Sequence, residues 1–88
     1  MTYKIVNKLF EEYNDFNDYK KMYEDCTDTN TKTILKKIME DECHHYKYLY
    51  DLVFANADIA KMSEIEKAVH HYATHLHHKM SDCISKIK

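Results

Sequence analysis

Apolar side chains recur along the chain at alternating steps of three and four, the spacing that lays one stripe along each of three amphipathic helices. Over residues 2–26 the stripe runs through Ile5, Leu9, Glu12, Phe16, Tyr19, Tyr23 and Cys26, with Val6, Phe10 and Tyr13 widening one flank. Glu11, Asp15 and Asp18 fall on the far side, where water solvates them. Over residues 31–56 a second stripe takes Leu35, Ile38, Glu42, His45, Leu49 and Leu52. Over residues 63–87 a third takes Ile65, Val69, Tyr72, Leu76, Met80 or Lys79, Cys83 and Ile87. Thr27-Asp28-Thr29-Asn30 offers a turn between the first two helices, with Thr or Asn as the cap of the second. Ser63-Glu64-Ile65-Glu66 has the form of a capping box, a serine followed three residues later by a glutamate.

The expected architecture is one all-α domain, an antiparallel two-helix hairpin plus a third helix. Composition supports it: the chain contains neither Gly nor Pro, so hairpin turns, bulges and long irregular loops have little to build on. The 88 residues also limit the core. A chain of this length buries only about 60–65% of the surface its unfolded form exposes, so a homodimer or larger homo-oligomer is expected.

Charge and cysteine content narrow the function classes. Thirteen basic and fifteen acidic residues are interspersed and leave a net charge of -2, with no basic footprint for nucleic acid. No apolar run approaches the roughly 18–20 residues of a membrane span, and the first residues lack the pattern of a signal peptide. Cys26, Cys43 and Cys83 are odd in number and lack metal-type spacing, so they read as reduced, buried thiols. A cytoplasmic location is the expectation.

Three polar residues interrupt the first two stripes. A carboxylate on an apolar seam loses water and must be compensated or neutralised. A hairpin turning at Asp28 and Thr29 sets Glu12 level with His45, and Glu42 lies one turn away on the same face, at about 1.5 Å of rise per residue. The i, i+3 spacing of Glu42 and His45 aims carboxylate and imidazole the same way. A Glu from one helix with Glu-x-x-His from its neighbour is half of a carboxylate-bridged dinuclear metal site, whose full set is four Glu and two His. Two copies about a two-fold axis complete it. Glutamate oxygen with imidazole nitrogen favours iron, manganese or zinc over calcium. The other reading of the trio is a hydrogen-bonded cluster that only fixes register.

In these residues the chain resembles the ferritin-like superfamily, and within it the short encapsulated ferritins. Their pattern places a Glu on the first helix and a Tyr seven residues later, matched by Glu12 and Tyr19 within EEYNDFNDY. Glu-x-x-His follows thirty residues after the first Glu, matched by Glu42 and His45 within EDECHHYKYLY. The resemblance covers residues 3–55. It implies a four-helix bundle completed by dimerisation and a ferroxidase centre between two copies, with two irons per dimer. It also implies a place for Tyr19 beside the metals as a redox-active group, where the residue pattern alone allows a core tyrosine. The tail Cys83-Ile84-Ser85-Lys86-Ile87-Lys88 does not look like an encapsulin-targeting peptide, so the resemblance does not extend to a capsid partner. A non-enzymatic helical interaction protein with a structural or vestigial metal is the alternative function.

Five of seven histidines crowd into HHYATHLHH on the third helix. His71, His75, His78 and Asp82 share one stripe, and imidazoles at i and i+4 chelate zinc, nickel or copper. The stripe reads either as a secondary metal site or as the polar flank of a surface helix. His70 and His77 point elsewhere, and His44 lies opposite Glu42.

Overall fold

In a computed structural model, which describes residues 3–87, three helices follow one another: α1 Tyr3–Asp25, α2 Thr29–Phe54 and α3 Glu64–Lys86. Each agrees with its expected span to within two residues. A short 3-10 turn, Ile59–Lys61, interrupts the second linker. The periodicity gave no sign of it, although Asp58 caps it by accepting from the Ala60 N–H at 3.1 Å.

The caps explain where the helices start. Asp28, rather than Thr or Asn, caps α2: its carboxylate accepts from the Thr31 N–H at 2.8 Å and from the Thr31 hydroxyl at 2.6 Å. A full negative charge at the positive end of the helix dipole makes it the stronger acceptor. Those bonds also hold its carboxyl below the usual carboxylate range. At α3 the capping box forms as the sequence indicates. The Glu66 N–H donates to Ser63 Oγ at 3.2 Å, and the Ser63 N–H donates to Glu66 Oε1 at 3.1 Å.

Packing divides the hairpin into two sides. α3 runs antiparallel to α2 and covers one side with Ala73, Leu76 and Met80, which meet Leu9 and Phe16 of α1 and Met39, Cys43, Tyr46 and Phe54 of α2. None of these α2 residues belongs to the stripe read from the sequence. α2 touches both neighbours and so carries two apolar faces, and the expected stripe, Leu35 to Leu52, looks toward α1 and the side that α3 leaves bare. On that side Ile34, Tyr48 and Leu52 are 61%, 68% and 70% exposed. Ile65 and Tyr72, expected in the third stripe, are exposed as well, and Ala73 takes the buried place.

Polar bonds fix α3 in register. The Tyr46 hydroxyl donates to the Ala73 carbonyl at 2.6 Å, deep in the core, while its ring stacks on His77 with centroids 5.9 Å apart. The Thr74 hydroxyl donates to the His70 carbonyl, which leaves its oxygen to accept from Tyr50 at 2.8 Å. The Tyr50 oxygen then accepts from His70 Nε2 at 3.2 Å. Losing one buried hydroxyl costs about 1 kcal/mol, whereas losing a whole buried aromatic side chain costs about 3–5 kcal/mol. Urea titration of Tyr46→Phe and Tyr46→Ala should show those two decrements in that order.

Among the described residues no helix is long and apolar enough to cross a membrane. All three cysteines are free thiols, Cys43 buried and the other two half-buried.

Candidate metal centre

The hairpin register places Glu12 against His45 as the turn at Asp28 requires. His45 Nδ1 lies 3.8 Å from Glu12 Oε2, with the imidazole 55% exposed on the bare side of the hairpin and the Glu12 side chain 23% exposed beneath it. Glu42, one turn back on α2, points into the same space. Glu12, Glu42 and His45 each offer a ligand atom within 4.8 Å of the others. Among the described residues they are the one group of three or more His, Cys, Asp or Glu side chains gathered this closely.

Glu42 carries the electrostatic cost. Its Oε2 is buried and has no hydrogen-bond partner. Burial is the chief reason its pKa is pushed up to about 8. The Glu12 carboxyl beside it adds to the shift, followed by Asp15 and Asp41. A carboxyl so placed holds its proton near neutrality, since a second negative charge in this partly dry space is costly. The contribution of Asp15 and Asp41 was not read from the sequence, although Asp15 is exposed to solvent as expected. Its signal was there: Asp15 lies one turn from Glu12, and Asp41 adjoins Glu42.

No family model, curated protein or solved structure matches the chain.

The trio fits a transition-metal ion on three counts. Three atoms within 4.8 Å of one another leave a point about 2.8 Å or less from each, so bonds of about 2.0–2.2 Å need only small side-chain adjustments. Glu42 Oε2 lacks the partner that an ion would supply. Two carboxylates with one imidazole match iron, manganese and zinc. Exposure of His45 and the bare apolar surface around it leave the ligand set open on one side.

The other expected site residues do not converge. Tyr19 is half-buried on α1, two turns from Glu12 along the same stripe. His71, His75, His78 and Asp82 are all exposed along the outer face of α3 and form no ready trio. His44 is exposed. His70 and His77 turn inward instead, His77 against the rings of Tyr46 and Tyr50. Burial, then the charges of Lys47 and His78, pushes His77 below the usual imidazole range.

The Glu42 shift sets a pH dependence. The folded value of about 8 lies above the ordinary 4.5, so the folded protein holds this proton more tightly than the unfolded chain. The corresponding stability is fully present below pH 4.5 and is lost as pH rises through 8. Solvent reaches part of the site, so the loss should be about 1–3 kcal/mol rather than the full shift. In metal-free protein, urea midpoints of the wild type should fall across this window relative to Glu42→Gln, which keeps the shape without the titration.

Proposed function

We propose that two copies of this chain join through the bare side of the hairpin into a ferritin-like four-helix bundle that binds ferrous iron and oxidises it with dioxygen. The observation that carries this reading is the buried, unpartnered Glu42 Oε2 beside Glu12 and His45. Ferrous iron is the substrate, two ions per dimer. Glu12 and Glu42 of each copy supply oxygen ligands and His45 supplies nitrogen, which together make the four-Glu, two-His set. Glu42 gives up its proton as the cation arrives. Each ferrous ion loses one electron, dioxygen takes two electrons and two protons to become hydrogen peroxide, and ferric iron leaves. By resemblance, Tyr19 is the redox-active side chain near this centre. Manganese or zinc would occupy the same donors without turnover.

The apolar residues on the bare side support the dimer. Ile34, Tyr48 and Leu52 flank the site, and burying such side chains contributes about 1.5–3 kcal/mol each. A reducing cytoplasm suits this chemistry, since it keeps both the free thiols and the ferrous substrate reduced. His71, His75, His78 and Asp82 we assign to a separate, weaker cation site on the outer face of α3.

An oxygen electrode tests the reading. Ferrous iron added to the protein should draw down oxygen at one molecule per two irons, faster than in buffer. The same exposed stripe also favours the second reading, a helical interaction protein with a structural metal. That protein would bind the metal and dimerise without consuming oxygen.

A further inference from the structure

Away from the Glu12, Glu42 and His45 trio, a groove of about 460 Å³ lies between the C-terminal halves of α1 and α3. Its floor is apolar: Met39 is fully buried, and Tyr23, Cys83 and Ile87 pack against the same core. A smaller recess of about 70 Å³ continues it toward the middle of α1, sharing Lys20, Lys79 and Cys83 with the main groove and ending at Tyr13 and Asn17. The volume lies within the range of about 300–1,000 Å³ typical of small-molecule sites.

Charge is unevenly spread along this groove. Lys20, Lys79 and Lys86 border it, and none forms an ion pair among the described residues. Glu24 and Asp82 lie on the rim of the main groove, but no carboxylate lines the recess. At the recess Lys20 and Lys79 meet the Tyr13 hydroxyl and the Asn17 amide, all hydrogen-bond donors. Burial alone would raise the Tyr13 phenol. Bonding to Asn17 and Lys79, with the charges of Lys79 and Lys20, brings it below the ordinary value instead, so the field there is positive.

An apolar trough that ends in two ammonium groups and neutral donors is complementary to a molecule with a hydrocarbon body and one anionic head. We infer that the α1/α3 groove binds a free aliphatic carboxylate, its head between Lys20 and Lys79 and its chain over the half-buried Tyr23, Cys83 and Ile87. The carboxylate gains charge-assisted hydrogen bonds from the lysines, and the chain covers apolar surface that water otherwise touches. The site is independent of the metal trio, which faces the other side of the hairpin.

Titration calorimetry with dodecanoate, kept below its micelle concentration, tests this on the full chain. Dodecanoate should bind one per chain, and dodecanol, with the same chain and no charge, about tenfold or more weakly. Lys20→Gln with Lys79→Gln should weaken dodecanoate by a similar factor and leave dodecanol unchanged. Lys79 is exposed and Lys20 half-buried, and neither belongs to the buried core, so the double variant should fold normally, which circular dichroism checks. Amide shifts in NMR spectra should move at Lys79, Cys83 and Ile87. No binding by the wild type, equal binding of acid and alcohol, an unaffected double variant, or shifts confined to the bare side of the hairpin would each overturn the proposal.

Discussion

Glu42→Ala is expected to oxidise ferrous iron at least about 100-fold more slowly than the wild type. Loss of a residue that merely orients a ligand costs about 10–100-fold in metal affinity or activity, and Glu42 is placed as a ligand itself. His45→Ala should behave likewise. Neither residue belongs to the buried core, so helix content should stay at the wild-type level. Glu42→Ala also removes the carboxyl whose ionisation is opposed by burial and by Glu12, so the metal-free variant should be at least as stable as the wild type near pH 8. The matched control replaces His71, His75 and His78 together with alanine. If that stripe binds metal, the variant should take up less zinc or nickel, and in either case it should keep the wild-type rate of iron oxidation. Oxidation at the wild-type rate in Glu42→Ala would mean the centre is wrongly assigned. Loss of oxidation in the histidine variant would move it to α3.

Metal should drive assembly, and Leu52→Glu should block it. Without metal, two copies meeting on the bare side bring four glutamates together against two histidines, and like-charge repulsion in that poorly hydrated space either holds protons on carboxylates such as Glu42 or loosens the contact. Divalent ions remove that repulsion. If the full ligand set forms only between chains, a metal at a hundredfold excess over Kd stabilises the dimer by about 2.7 kcal/mol. Leu52 is 70% exposed in the single chain, so a glutamate there costs the monomer little. In the dimer each copy would bury a new charge in place of an apolar side chain, and two such losses weaken association by about 100-fold or more. Sedimentation of both proteins with and without manganese checks this. The wild type should shift from lighter to heavier species with metal, and Leu52→Glu should stay light. Equal association of the two would place the dimer contact elsewhere.

Much of the candidate site was legible because an antiparallel hairpin converts a turn position into a register. With the hairpin centred on Asp28 and Thr29, Glu12 falls opposite His45, and the i, i+3 rule brings Glu42 beside it. The capping box at Ser63 was legible for a similar reason, since all its partners are local. The second face of α2 was not. Met39, Cys43, Tyr46 and Tyr50 repeat at the same steps as Leu35 to Leu52, and periodicity cannot tell which of two apolar faces meets α3. The choice depends on where α3 docks, which Tyr46, Tyr50 and Thr74 settle through contacts distant in sequence. Asp15 and Asp41 escaped for a different reason. Their part in raising Glu42 is electrostatic and acts through space, so no pattern of apolar positions records it.

The central claim is that Glu12, Glu42 and His45 hold metal between two chains. Anomalous diffraction from crystals grown with manganese tests it most directly. Two peaks about 3.5–4 Å apart and related by a two-fold axis are expected, each bonded to Glu12, Glu42 and His45 side chains, with both chains contributing. A single ion held within one chain, or peaks at the α3 histidines and none at Glu42, would contradict it.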